Sequence, residues 1–365
     1  MTSTKKITVA LVFGGRSAEH EVSLQSAQNI LNALDRTKFK PMLLGIDREG
    51  RWFLNQESLH LLNADNPDLI ALNTSQKQVA LLANGPSQQV VDLESQKPLG
   101  AVDVIFPILH GPYGEDGAIQ GLARLANLPC VGADVLASAV GMDKDIMKRL
   151  LRDANIPVAP FVTLHHWQQQ DLPAISASLG WPLFVKPANM GSSVGVSRAT
   201  DADSLKVAVA EAFQYDQKVI VEQAIVGREV EVSVLGNEDI RASVAGEILP
   251  QTEFYSYESK YIDAEGARLA IPAELSQDEL AQLQQVAKNT FRVLNCQGMA
   301  RVDMFLTVEG DVVVNEINTL PGFTNISMYP KLWQESGLSQ QDLVTELIDL
   351  AIARFEQLQT LKTTR

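Results

Sequence analysis

Only two cysteines, Cys130 and Cys296, occur in 365 residues. They lie far apart among apolar neighbours, which excludes a disulfide framework and leaves buried free thiols in a reducing compartment as the expectation. No run approaches the ~18 consecutive apolar residues that a bilayer span requires. Basic residues are also scarce: 30 Lys and Arg stand against 44 Asp and Glu, a formal net charge of -14. That balance excludes a nucleic-acid surface and an anionic-membrane surface, both of which need basic patches. The five histidines (His20, His60, His110, His165, His166) form no H-x-x-x-H or H-E-x-x-H pair, which argues against a hydrolase using Glu316 or a histidine-bound metal. There is no G-x-x-x-x-G-K-[ST] loop. Met1-Thr-Ser-Thr-Lys-Lys runs directly into strand-like residues without an apolar leader, so a cytoplasmic protein is expected.

What is present describes an ordinary globular chain, 45% hydrophobic and 20% charged. Its length exceeds one typical core, so two or three lobes are expected. Three parts can be read. Residues 1–140 alternate strand and helix: Ile7–Phe13, a helix over Val22–Leu34, then strands at Lys40–Ile46 and Val102–Leu109. This rhythm predicts an open parallel sheet with functional loops at the carboxyl ends of its strands. Two loops fall there, Gly14-Gly15-Arg16-Ser17-Ala18-Glu19-His20-Glu21 and His110-Gly111-Pro-Tyr-Gly114-Glu115-Asp116-Gly117. The polar, turn-rich stretch from 63 to 98 reads as an elaborated edge.

Residues 141–228 open with Asp143 as a cap for a helix over Lys144–Ala154, which would place Lys144 among free N–H groups that favour anions. A strand, Leu183–Lys186, leads into Pro187-Ala-Asn-Met-Gly191-Ser192-Ser193-Val-Gly195-Val196, a flap whose backbone N–H and hydroxyl groups can cover phosphates. A helix over Ser204–Phe213, capped from Thr200 or Asp201, precedes a strand at Val219–Glu222. That strand's edge, Glu222 and Gln223 can hold an adenine amino group, and Glu229 can take ribose hydroxyls. Taken singly, both acids read more readily as ordinary surface carboxylates.

Residues 229–365 hold a helix over Asp278–Leu294 with a Ser276-x-x-Glu279 capping box, and an amphipathic tail at Leu343–Leu358 expected to pack in a core. The richest pattern is a hairpin of M-A-R-V-D-M-F-L (Met299–Leu306) and D-V-V-V-N-E-I (Asp311–Ile317) around Glu309-Gly310-Asp311. Strand period brings Arg301 with Asp303, and Glu316 with Asn318, toward one spot. Two carboxylates and an amide oxygen suit Mg²⁺, which completes its shell with water and substrate phosphates.

In order along the chain, G-G-x-S-x-E-x-E-V-S, H-G-x-x-G-E-D-G, K-P-x(3)-G-S-S-V-G, V-x-E-x(6)-E, E-S-K-Y, R-V-D and N-E-I-N-T-L-P-G-F-T resemble the D-alanine–D-alanine ligase family of ATP-grasp enzymes, over nearly the whole length. The resemblance implies an α/β chain: a Rossmann-like N-terminal domain (1–140) and two nucleotide-clamping lobes (141–228 and 229–365). It implies ATP, Mg²⁺ or Mn²⁺ with two ions per site, D-alanine as substrate, an acyl-phosphate intermediate, a peptidoglycan-precursor product and a homodimer.

By the same resemblance, Lys144 and Lys186 hold the α- and β-phosphates, Lys260 reaches the γ-phosphate, and Ser193, Glu222, Gln223 and Glu229 complete the ATP site. Asp303, Glu316 and Asn318 hold the metal. Arg301 and the Gly322 N–H stabilise the tetrahedral step. Glu19 binds the first ammonium and forms a chain with Ser192 and Tyr261, while Ser327 and Met328 take the second carboxylate. His110 falls in the matching substrate loop, though a lone histidine is equally a satisfied structural residue. The stretch Gln251–Ala264 looks like a lid. An idle nucleotide-binding module would have lost Arg301 or a metal ligand, and neither is lost. A D-alanine–D-lactate ligase would lack the Lys260-Tyr261 pair, so the dipeptide product is favoured.

Overall fold

A computed structural model describes residues 5–57, 60–63, 70–83, 89–250 and 267–362. Lys260, Tyr261 and the lid segment therefore lie outside the described residues. In chain order the described elements are β1 (Ile7–Gly14), α1 (His20–Ala33), β2 (Phe39–Ile46), β3 (Trp52–Asn55), β4 (Leu61–Leu62), β5 (Ala71–Leu72), β6 (Lys77–Leu81), β7 (Val90–Asp92), β8 (Pro98–Gly100), β9 (Val104–Ile108), α2 (Ala118–Leu125), α3 (Val135–Met142) and α4 (Lys144–Asp153). There follow β10 (Phe161–His165), α5 (Leu172–Leu179), β11 (Leu183–Pro187), β12 (Ser197–Ala199), α6 (Ala202–Ala212), β13 (Lys218–Gln223), β14 (Gly227–Gly236), β15 (Arg241–Pro250) and β16 (Ala267–Ala270). The last are α7 (Gln277–Val293), β17 (Gly298–Thr307), β18 (Val312–Asn318), α8 (Met328–Glu335) and α9 (Gln340–Gln359).

Three main sheets result. The first runs β8-β7-β6-β3-β2-β1-β9. Its β2, β1 and β9 are parallel, as the alternating strand–helix pattern requires, and β3, β6, β7 and β8 extend it antiparallel. The edge expected around 63–98 is thus real, and it makes the sheet mixed rather than purely parallel. The second sheet is β10-β13-β11-β12 and the third β16-β15-β14-β17-β18. β13 pairs on both sides, with β10 and β11. The free strand edge expected at Glu222 is therefore corrected: its backbone is already inside a ladder.

Helix starts follow local chemistry. The Asp201 side chain accepts from Ser204 N–H and Ser276 from Glu279 N–H, each closing a capping box, so α6 begins two residues before the expected Ser204. Asp143 accepts from the N–H groups of Asp145 and Ile146, and Lys144 N–H donates to Ala188 O at 3.0 Å. The first-turn amides of α4 are thereby occupied. Lys144 can offer an anion its ammonium group, not the free helix terminus that its position implied.

The C-terminal helix closes the molecule. Leu343, Val344, Leu347, Ile348 and Ala351 of α9 are buried in one cluster with Val9, Leu11 and Phe13 of β1 and Leu24 and Ile30 of α1. The same cluster takes in Phe323 and Tyr329, so residues from both ends of the chain share a core with the loop after β18. Arg354, buried on α9, donates to Gly132 O and Cys130 O, both at 2.7 Å. Arg354→Met should leave those carbonyls without donors and cost about 2 kcal/mol, the usual penalty for buried polar groups stripped of partners. Urea unfolding measures it; an unchanged midpoint would mean that the guanidinium contributes no net stability.

Candidate active site

A β-bulge creates the centre of the site. β17 pairs with β18 as Arg301↔Asn318, Val302↔Ile317 and Asp303↔Glu316, then slips so that Met304 faces Val314. Asn315 is the extra residue. Val312, Val314 and Ile317 stay buried in the core, which leaves Asn315, Glu316 and Asn318 together on the opposite face. Without the slip, Asn315 and Glu316 would alternate faces and the acid would leave the cleft.

Arg301 extends along this face. Its Nε and an Nη donate to the two Asp303 oxygens at 2.7 Å each, and Nε lies 2.9 Å from Glu231 Oε2. Glu231, buried on β14, is the cross-strand partner of Asp303, so one guanidinium is held between two carboxylates. Two buried acids in so small a volume require such a cation.

A second set of charges links the lobes. Glu222 is buried between two ammonium groups: Lys148 lies 3.1 Å away, and Lys186 is in direct contact. Burial by itself raises a carboxyl pKa, but the charges of Lys148 and Lys186 outweigh it and hold Glu222 down at about 2. Lys186 also donates to Asn315 Oδ1 at 3.1 Å. Lys144 donates to Met190 O at 2.7 Å and lies 3.5 Å from Glu316. Three ammonium groups thus meet two carboxylates where the flap faces the hairpin, an excess suited to phosphate oxygens.

The flap turns back through Ser192, Ser193 and Gly195, all at positive φ. This turn brings Ser192 Oγ–H onto the Glu19 carboxylate. A Cβ on Gly191 or Gly111 would sit 3.2 or 3.0 Å from Glu19 Oε2, so the acid is packed against two glycines where a larger residue would displace it. Glu115 is buried nearby and accepts from Gly111 N–H at 2.7 Å. Burial, reinforced by the negative charge of Glu19, pushes its carboxyl up to about 8.

A cavity of about 450 Å³ joins these groups, lined among others by Glu19, Lys144, Ser192, Arg301, Glu316 and Gly322. Beyond Gly322 the chain turns into α8. Ser327 Oγ accepts from Thr324 N–H at 2.9 Å, and a Cβ on Gly322 would meet that oxygen at 2.9 Å, so a larger residue there would push the hydroxyl off Thr324. Met328, the first residue of α8, is buried with Ile248 and Leu332 and lines the cavity.

Of the residues expected from sequence, Glu19, His110, Lys144, Ser192, Arg301, Glu316, Asn318, Gly322, Ser327 and Met328 line one cavity. Asp303 and Lys186 stand beside it through Arg301, Glu222 and Asn315. Glu222, expected at the nucleotide, is buried here as the partner of two lysines. Gln223 closes β13, where its N–H donates to Pro160 O, and Glu229 lies on β14 opposite Phe305; neither lines the cavity. Lys148, Glu115, Glu231 and Asn315 were missed. Lys148 had a usable signal, since it follows Lys144 by four and so shares its face of α4.

The donor set fits Mg²⁺ only in part on its own. Asp303 and Glu316 face each other across the ladder with Asn318 two pairs along, yet among the described residues no three His, Cys, Asp or Glu side chains gather as a cage. Such an oxygen set leaves coordination to be completed by a substrate's phosphates, which is how Mg²⁺ is commonly held.

Paired cations over a glycine-serine flap, facing a bulged hairpin that bears acids and an amide, are the site of an ATP-grasp enzyme. The chain belongs to the D-alanine–D-alanine ligase family: the model of that family's N-terminal part matches residues 8–133, and that of its C-terminal part residues 150–349. It is 55% identical to the D-alanine–D-alanine ligase of Shouchella clausii over 360 residues, 98% of each chain. Identity is 53% to D-alanine–D-alanine ligase A of Escherichia coli K12, over 99% of this chain and all of that one. Its fold is similar to the D-alanine-D-alanine ligase structure from Coxiella burnetii, with TM-score 0.85 and 38% identity over 98% and 97% of the two chains. The VanG D-Ala:D-Ser ligase of Enterococcus faecalis matches with TM-score 0.84 and 35% identity over 95% of this chain and 100% of that one.

Glu115→Gln tests the electrostatics. A carboxyl whose folded pKa is raised stabilises fully below its unfolded value, near 4.5, and loses that contribution as pH rises through about 8. Wild-type stability should therefore decline across pH 5–8 more steeply than that of the Gln variant in parallel chemical denaturation series. Identical slopes would place Glu115 in a wetter environment than its burial indicates.

Proposed function

We propose that this chain joins two D-alanines at the expense of ATP, giving D-alanyl-D-alanine, ADP and phosphate. The observation that carries the reading is the meeting of Arg301, Glu316 and Gly322 with Glu19 and Ser192 in one cavity, beside three lysines suited to phosphates. Full-length similarity to enzymes named D-alanine–D-alanine ligase supports it. The working units are an N-terminal domain (1–140), a central lobe (141–228) and a C-terminal lobe (229–365).

In this mechanism Glu19, oriented by Ser192, receives the ammonium group of the first D-alanine. Lys144 and Lys186 hold the nucleotide phosphates, with Ser193 covering them from the flap and Lys260 approaching the terminal phosphate from the lid segment. Gln223 and Glu229 hold the nucleoside end. Asp303, Glu316 and Asn318 would hold Mg²⁺ or Mn²⁺, two ions in full occupancy, and bound metal supplies charge neutralisation between the terminal phosphates. The carboxylate of the first D-alanine attacks the γ-phosphate and becomes an acyl phosphate. The amine of the second, its carboxylate at Ser327 and the backbone of Met328, attacks that carbonyl. Arg301 and the Gly322 N–H stabilise the oxyanion before phosphate leaves, a role worth ~3 kcal/mol per donor in other acyl-transfer enzymes. Tyr261 completes the Glu19–Ser192 chain from the lid.

No helix among the described residues is long and apolar enough to cross a membrane. A peptidoglycan-precursor product, the cytoplasm as its place of synthesis and a homodimeric state complete the proposal.

Product analysis with ATP and D-alanine tests the reading: chromatography should resolve ADP and phosphate in step with dipeptide, and stoichiometric AMP would contradict it. D-Serine and D-lactate as second substrates separate this activity from that of the related D-Ala:D-Ser enzyme. Glu316→Gln, which removes one charge at constant volume, should lower turnover by about a hundredfold, roughly 3 kcal/mol of barrier. Near-normal turnover would move the metal away from Glu316.

A further inference from the structure

The loop that carries Gly322 is held from the opposite end of the chain. Ser26 and Asn29, one turn apart on α1, both reach it. Phe323 N–H donates to Ser26 Oγ at 3.1 Å, while Asn29 Nδ2 donates to Phe323 O at 2.8 Å and to Asn325 Oδ1 at 3.0 Å. Ser26 Oγ also lies 3.3 Å from His110 Nε2, and His110 Nδ1 lies 3.2 Å from Leu320 O.

The proton positions follow from these partners. A carbonyl oxygen only accepts, so Nδ1 carries the hydrogen toward Leu320 O. In the neutral ring Nε2 is then the acceptor, and Ser26 Oγ–H is the donor that fills it. His110 is buried, and burial draws its pKa below the ordinary value, in keeping with the neutral form. Leu320 O, Phe323 N–H and Phe323 O are therefore all fixed, on either side of Gly322, by residues of the N-terminal domain. A Cβ on Gly322 would lie 3.9 Å from His110 Nε2, which places this clamp directly behind the glycine.

We infer that Ser26, with Asn29 and His110, positions the oxyanion loop and fixes the direction of the Gly322 N–H, Ser26 and Asn29 acting from behind the cavity that His110 lines. This rests on the ligase reading and adds positioning residues to it. Ser26 is fully buried, so its hydroxyl has no access to solvent or substrate and acts only through the groups it bonds. Phe323 supplies the mechanical coupling, since its ring packs edge-on against Phe106 of β9 at 6.5 Å. A peptide N–H aimed at an oxyanion is sensitive to displacements well under 1 Å, which is why its neighbours require such anchoring.

The test compares two serines on one helix. Ser26→Ala should lower kcat about tenfold, with KM for ATP and for D-alanine within about threefold of wild type, the signature of an interaction lost only in the transition state. Ser23 is equally buried, but its hydroxyl serves Gly14 N–H and Ile108 O, inside the N-terminal domain. Ser23→Ala should lose comparable thermal stability and keep kcat within about threefold. Asn29→Ala should lower kcat severalfold, and the double variant Ser26→Ala/Asn29→Ala should lose less than the product of the two, because both act on one loop. Wild-type kcat in Ser26→Ala, a loss confined to KM, or an equal kcat loss in Ser23→Ala would each overturn the inference. If Ser26→Ala yields no folded protein, Asn29→Ala decides, and an unchanged kcat there overturns it. A wild-type protein that makes no ADP with D-alanine would sink the ligase reading instead, so the two failures are distinct.

Discussion

Glu222, buried between Lys148 and Lys186, is the interaction on which the site depends. Three ammonium groups brought together repel one another and resist burial, and Lys148 is fully buried. A carboxylate held ionised among them allows both lysines to keep their charge inside the protein. Removing it would leave buried cations without a partner, a far larger disturbance than the loss of a surface pair. The same logic recurs across the cleft, where one guanidinium, Arg301, serves the two carboxylates Glu231 and Asp303. Among the described residues, Lys144, Lys186, Arg301 and Glu19 each already have a protein partner.

That arrangement explains how the site can be both stable and available. Asp303 is shared between Arg301 and the position a metal would take, and Glu231 can retain Arg301 when Asp303 turns away. Lys144 stands between the flap carbonyl of Met190 and Glu316, two partners that ligand phosphates and metal can replace. Backbone geometry sets the distances. The bulge at Asn315 turns Glu316 toward Asp303, and the positive φ angles of Ser192 and Ser193 bend the flap onto Glu19.

Much of this was legible in the sequence, and the exceptions have physical causes. Strand period alone put Arg301 with Asp303 and Glu316 with Asn318 on one face, and the Gly-containing turn joined their strands as a hairpin. The bulge was invisible, because an extra residue leaves the apolar spacing of Val312, Val314 and Ile317 looking irregular without revealing which residue is displaced. The two lysine partners of Glu222 were not legible because a local motif gives no pairing partners: only the sheet order makes β13 an interior strand. Lys148 drew no reading, since burial of a lysine depends on a carboxylate 74 positions away in sequence. Glu231 and the Ser26–Asn29 clamp are contacts between distant segments of the same kind. Chain order held the chemistry, and tertiary packing held the support for it.

A structure determined with magnesium and a non-hydrolysable ATP analogue tests the exchange of partners most directly. Lys144 and Lys186 should lie within hydrogen-bond distance of phosphate oxygens, with Asp303 and Glu316 on the metal. Arg301 should have left Asp303 while remaining on Glu231. A complex in which nucleotide is bound but the Arg301–Asp303 pair stays intact, with the metal held by other residues, would contradict the account.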